Sequence, residues 1–132
     1  MRLLEAHLIA LLLVFCSSGV AIGAQDDVRF SYYILVDVSG SMVGKPNGMH
    51  PVIFPQVKNS IADFVRAVRP GASVSVLPFH ERIDGRLDRV VAADSDRATI
   101  IDYVQALDAK GQTTWIYHAL REALQDIEPQ TA

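Results

Sequence analysis

The run Ile34-Leu35-Val36-Asp37-Val38-Ser39-Gly40-Ser41-Met42 holds one carboxylate and two hydroxyls at alternate positions. Residues two apart in an extended chain point to one side, so Asp37, Ser39 and Ser41 are expected to converge. Gly40 gives the backbone the freedom to curl around a point between them. A carboxylate and two hydroxyls are hard oxygen donors, which suit Mg²⁺, Mn²⁺ or Ca²⁺ rather than zinc or copper. Mg²⁺ takes few protein carboxylates and keeps several waters, so an open site is expected. Asp37 ends an apolar run, and in open α/β sheets ligands collect beyond the carboxyl ends of the strands. Bare Asp-x-Ser-x-Ser is also ordinary turn composition. An apolar strand followed by the full Asp-x-Ser-Gly-Ser-Met string is much rarer.

The elements that must position these residues are legible from pattern. Phe30–Val36 is apolar and β-favouring without alternation, as in a central strand covered on both faces. Val43 to Pro55 is a loop by its Gly, Pro and Asn punctuation, and Pro55 stands near the start of a helix. That helix carries Val57, Ile61, Phe64, Val65 and Val68 at helical spacing and stops at Pro70-Gly71. Ser73–Phe79 reads as a second strand limited by Pro78, and Leu87–Val91 as a short edge strand. Asp94 or Ser95 is expected to cap a second helix with Ile100, Ile101, Val104 and Leu107 inward. Thr114 opens a third helix, whose stripe is Ile116, Leu120, Ala123, Leu124 and Ile127. Strands alternating with amphipathic helices predict an α/β layer fold with a mostly parallel sheet.

The chain has 132 residues, half of them apolar and a fifth charged, with a net charge of −3. That suffices for one domain with a real core and excludes intrinsic disorder. A slightly acidic balance offers nothing to nucleic acid. Cys16 is the only cysteine, so neither an intrachain disulfide nor a cysteine zinc cluster can form. The apolar residues are unevenly spread: residues 1–24 hold 17 of them and two charges, Arg2 and Glu5. A short basic start, an apolar centre from Leu8 to Phe15 and small residues after it read as a signal peptide. The expected cut follows Ala24, with Ala21 and Gly23 as alternatives. An uncleaved anchor over Leu8–Ala24 is the rival, at the lower edge of a membrane span. Cys16 follows Phe15 where a lipid-attachment motif wants a small residue, so it reads as leader filler. The expectation is an exported protein, periplasmic, secreted or on the cell surface, that meets membrane only if the leader stays. Residues 25–132 must then hold together without any disulfide.

The strand and its Asp-x-Ser-Gly-Ser-Met string resemble the metal-ion-dependent adhesion site of a von Willebrand factor type A domain, and the likeness extends over roughly residues 30–127. The resemblance implies a Rossmann-like layer fold and carries Asp37, Ser39 and Ser41 over as metal ligands. Ser39 and Ser41 would bind directly, and Asp37 directly or through water. The family's second motif is a threonine in a loop that opens a helix. Gly111-Gln112-Thr113-Thr114-Trp115-Ile116 offers it, and the following Ile-x-x-Ala-Leu aligns Thr114 with the ligand position. Thr113 is the fallback, and a plain helix cap is the structural alternative for Thr114. The family's third motif, an aspartate at the end of the next buried strand, has no counterpart before Ala132. The resemblance therefore implies a partial, C-terminally truncated domain over residues 25–132, lacking the later strands and helices. The Asp37 strand would then show an unpaired edge, a known aggregation liability. Such a domain is expected to be marginally stable alone or completed by another chain.

The implied function is a binding module, in which a carboxylate from a protein ligand completes the open metal position. A weakly folded fragment without metal-dependent binding is the first alternative. A hydrolase is the second, and the chain gives it little: Gly40-Ser41-Met42-Val43-Gly44 places Met42 in the nucleophile slot of Gly-x-Ser-x-Gly. An Asp-x-Asp phosphotransferase would need a carboxylate at Ser39. His50, His80 and His118 stand alone in the sequence. His80 reads as a surface or rim residue, because hard cations prefer oxygen. Trp115 reads as packing, and Lys45 and Lys58 as solvent charges. The long 43–55 loop is expected either to line the binding face or to be an insertion.

Overall fold

Two largely apolar strands form the centre of the sheet, and their neighbours follow from what each face must cover. The structure, a computed structural model, describes residues 13–18, 29–44 and 52–127. Strands β1 (Leu13–Ser18), β2 (Phe30–Asp37), β3 (Ser73–Phe79) and β4 (Leu87–Val90) lie side by side in that order. Helices α1 (Phe54–Ala67), α2 (Asp94–Ala106) and α3 (Ile116–Ile127) flank them. The expected α/β class holds. Within it the sheet is mixed: β2 and β3 are parallel, from Ser31 opposite Ser73 to Asp37 opposite Phe79, while β1 and β4 join antiparallel. A short hairpin-like return over residues 80–86 lets β4 run back along β3, which a crossover helix would not allow. Pro78 does not shorten β3. It stands beyond Val76, the last residue paired to β4, so its missing N–H costs no bond to that strand.

β1 lies within the stretch that reads as a leader. It pairs Leu13 with Leu35 and Ser18 with Phe30, so in the full chain it covers the β2 edge that leader removal would open.

Ile34, Leu35 and Val36 are all buried, as a strand covered on both faces requires. Alternation then divides the core. Ile34, Val36, Val74 and Val76 meet α1 and α2 through Ile61, Val65, Ile100 and Val104. Leu35, Leu77 and Phe79 meet α3 through Ala119 and Ala123. The α1 and α2 stripes are those expected, with Val57, Phe64, Ile101 and Leu107 partly buried at the margins. The α3 stripe is rotated from the expected one. Small side chains, Ala119 and Ala123, seat the helix against the sheet, and Leu124 is exposed. Residues four apart share a helix face, and small residues there allow close approach of the backbone.

Local polar contacts set the helix ends. α2 is not capped by Asp94 or Ser95. It begins after Ala93, and the Asp96 carboxylate reaches back to accept the N–H groups of Ala92 (3.0 Å) and Ala93 (2.9 Å). Lys58 is no free solvent charge: its Nζ donates to the carbonyls of Gln105 (2.8 Å) and Leu107 (2.6 Å) at the end of α2 and lies over the Phe54 ring. A cation there satisfies carbonyls that the helix leaves unpaired. Lys45, His50 and residues 45–51 of the long loop lie outside the described residues. Among the described residues, no helix is long and apolar enough to cross a membrane.

Three predictions concern stability. Ile34→Ala removes a fully buried side chain from the main core and should cost about 2–5 kcal/mol in urea unfolding. Tyr117→Ala, at a side 89% exposed, should stay within about 0.5 kcal/mol of the parent. Asp96 also gives an acid dependence. The Ala93 and Ala92 N–H groups hold its carboxyl below the usual range. A carboxyl with a lowered folded pKa stabilises fully above its unfolded value, about 4, and loses that contribution as pH falls through the folded value. Urea melts on both sides of that pH should show the loss, and Asp96→Asn should flatten this acid limb.

Candidate metal centre

β2 delivers Asp37 to its carboxyl end and the chain then turns. The Asp37 Oδ1 accepts the backbone N–H of Ser39 at 2.8 Å, a local bond that aspartate makes readily two residues ahead. Ser39 is still extended, with φ −70° and ψ 157°, and is buried. From Gly40 to Val43 the chain forms a 3₁₀ turn, closed by Met42 N–H donating to the Ser39 carbonyl at 3.1 Å. Buried Val38 and Met42 anchor the turn from beneath. The two serine hydroxyls stand 2.9 Å apart. Ser39 and Ser41 pair through their hydroxyls and the Asp37 carboxylate meets the Ser39 backbone N–H, although the strand does not continue through them. The 3₁₀ turn, not strand alternation, brings Ser41 back over Ser39.

Thr114 comes from the other end of the chain. Its Oγ1 lies 3.4 Å from the Asp37 Oδ2, within a donated hydrogen bond. Both carboxylate oxygens of Asp37 thus face the cluster, one toward Ser39 and one toward Thr114. Thr113 is exposed, so Thr114 is the threonine that stands beside Asp37. It is not the cap of α3, which begins at Ile116.

The segment that carries Thr114 is stitched to the strand ends by its backbone. Gly111 N–H donates to the Val38 carbonyl at 3.1 Å, and Gly40 N–H donates to the Gly111 carbonyl at 2.5 Å. These form one parallel bridge between Ser39 and Gly111. Farther on, Trp115 N–H donates to the His80 carbonyl at 2.8 Å, at the end of β3. The roles of Gly111 and of the His80 backbone were not legible in the sequence. The only signal was a glycine three residues before the threonine, and it gave no hint of its neighbour.

Trp115 is not a core residue. It is 55% exposed and meets His118 edge-on, beside Thr114. A polar cleft of about 410 Å³ opens next to Val38 and Gly111, with His80, Asp84, Asp108 and Lys110 along it. His80 Nε2 lies 3.5 Å from Asp84 Oδ2 there.

The chemistry of this donor set decides which ions it can hold. Among the described residues, no three His, Cys, Asp or Glu side chains gather as a metal site. The cluster is one carboxylate with three hydroxyls, all hard oxygen donors and none soft. That fits Mg²⁺, Mn²⁺ or Ca²⁺ and does not fit a thiolate- or imidazole-loving ion. It fills few coordination positions, which suits an ion that keeps water or accepts an outside ligand.

No curated protein matches the sequence. The crystal structure of an uncharacterized membrane-spanning protein from Vibrio fischeri is similar in fold, with a TM-score of 0.55 at 22% identity over 77% of this chain. This chain spans 50% of the length of that one. The sequence profile of the von Willebrand factor type A domain matches residues 32–131, from within β2 past the end of α3, and the chain belongs to that family.

Proposed function

We propose that this protein binds a hard divalent cation through Asp37, Ser39, Ser41 and Thr114 and uses it to engage an acidic side chain of a protein ligand. The coarser part needs no proposal: domains of this family serve in general as protein interaction or adhesion modules, often with a divalent metal, and in general not as enzymes. The observation that supports the finer reading is the run of contacts that joins the four residues: Thr114 to the Asp37 carboxylate, that carboxylate to the Ser39 backbone, and the Ser39 hydroxyl to that of Ser41. Asp37 supplies the only negative charge among them. Ser39 and Ser41 supply neutral oxygens in a fixed pair, and Thr114 closes the set from the α3 side. When bound, the cation supplies a coordination position that a partner's carboxylate can complete. With a single protein carboxylate at the site, the cation's charge is under-neutralised, which favours an anionic partner. Exposed Trp115 borders the site, where an aromatic side chain contributes contact area. Mg²⁺, Mn²⁺ and Ca²⁺ all satisfy the donor chemistry.

We also propose that residues 1–24 are an export leader, on the strength of their composition. The domain would then act in the periplasm, on the cell surface or outside the cell. In the full chain Leu13–Ser18 covers the edge of β2, so leader removal would expose that edge.

Two measurements test these readings. Metal-free full chain should gain thermal stability on adding Mg²⁺ or Mn²⁺, by about 2.7 kcal/mol when the ion reaches a hundred times its Kd. Chelator should reverse the gain, and Asp37→Ala or Ser39→Ala should abolish it. An unchanged melt at millimolar metal would contradict the metal reading. Intact mass of the native protein should correspond to a chain starting at Gln25; a mass retaining Met1 would contradict leader removal.

A further inference from the structure

We infer that His80 and Gly111 are a positioning pair for the metal centre: Gly111 must lack a side chain so that its segment can lie against His80 while Thr114 reaches Asp37. This rests on the metal reading above. Thr114 stands beside a residue 77 positions away in sequence, so something must fix its segment in space. Two tethers do so. Gly111 is tied to the end of β2 through Val38 and Gly40, and Trp115 is tied to the end of β3 through the His80 carbonyl. Only Gln112, Thr113 and Thr114 lie between the tethers.

For both tethers to form together, the backbone at position 111 must pass directly against the His80 side chain. A Cβ placed on Gly111 would overlap the His80 Cβ and lie 2.7 Å from its ring Cγ. Turning the ring about χ1 would move the Cγ but would leave the overlap with the Cβ. The Cβ is fixed by the backbone of His80, and that backbone is committed to Trp115 on one side and to the Arg82 carbonyl on the other. The opposite side is tight as well, though less so, because a Cβ on Gly40 would lie 3.2 Å from the Gly111 carbonyl oxygen. Gly111 is thus held between the extension of β2 and His80. It is not among the glycines with positive φ, so the demand is for space and not for backbone freedom. Close backbone approach is one of the recognised uses of glycine. A side chain at 111 would force the segment off one tether and withdraw Thr114 from Asp37. The space needed is shared, so a smaller residue at 80 should make room for a larger one at 111.

The test uses the full chain in three forms: parent, Gly111→Ala, and Gly111→Ala combined with His80→Gly. Mn²⁺ alone is the probe, with its affinity read from the free-ion electron paramagnetic resonance signal. Hydrogen exchange of the Trp115 amide is measured separately in metal-free protein. Gly111→Ala should weaken Mn²⁺ binding by about tenfold or more, the scale of losing an outer partner of a metal ligand. It should also speed exchange of the Trp115 amide. The double variant should recover both, to within about threefold in affinity. Parent-like binding and exchange in Gly111→Ala would overturn the inference. So would a double variant no better than the single, including the case in which neither folds. A single variant that fails to fold and a double variant that folds would support it. A parent that does not bind Mn²⁺, with Trp115 exchange still in the expected order, would remove the metal reading while the positioning of the segment stands.

Discussion

Two backbone hydrogen bonds hold this site together: Gly111 N–H to the Val38 carbonyl, and Gly40 N–H to the Gly111 carbonyl. They extend the parallel order of the sheet by one bridge beyond the end of β2. That bridge joins the turn carrying Ser39 and Ser41 to the segment carrying Thr114. Without it the Thr114 segment would keep its bond from Trp115 to His80 but lose its direct tie to the turn that carries Ser39 and Ser41. Backbone bonds suit this task, because they fix position with little dependence on side-chain rotamers. Glycine stands on both sides of the contact: a Cβ at Gly111 would strike His80, and one at Gly40 would crowd the Gly111 carbonyl oxygen.

The sheet beneath is covered unevenly. α1 and α2 bury the larger cluster on one face. α3 covers the other with two alanines against Leu35, Leu77 and Phe79. α3 gains further hold from polar contacts at the sheet edge. The Ile83 N–H donates to Glu122 at 3.1 Å, and Arg86 pairs with Asp126. Arg86 also bonds Asp88, which accepts the hydroxyl of Ser75 on β3. The helix that follows Thr114 is therefore located by thin apolar packing plus an edge network, while the Asp37 side rests on the deep core. The two halves of the donor set are held with different firmness, and the bridge at Gly111 links them.

Much of this was readable in the residues. β2 appears where an apolar, β-branched and aromatic run places it and β3 at Ser-Val-Ser-Val-Leu-Pro-Phe, and the α1 and α2 stripes fall at their expected positions. Asp37, Ser39 and Ser41 stand out by type and spacing, and Thr114 follows from the family resemblance. What could not be read depends on contacts distant in sequence. The 3₁₀ turn that brings Ser41 to Ser39 rests on Met42 finding the core. The inward face of α3 is set by close approach at Ala119 and Ala123, which hydrophobicity counts underrate beside Leu124. Asp96 wins the α2 cap because its side chain can reach two free N–H groups at once. Local residue types also say nothing of a strand at Leu13–Ser18, where composition points to a leader.

The family accounts for a module that binds other proteins, and the proposed cation site at Asp37, Ser39, Ser41 and Thr114 would give this member a specific means of doing so. The central claim is that donors from both ends of the domain share one cation. Paramagnetic broadening by substoichiometric Mn²⁺ tests it most directly in a single spectrum of amide resonances. The account predicts that the amides of Ser39, Ser41 and Thr114 broaden first and together. Broadening centred on exposed acidic residues such as Asp94 and Asp108, with Thr114 unaffected, would contradict it.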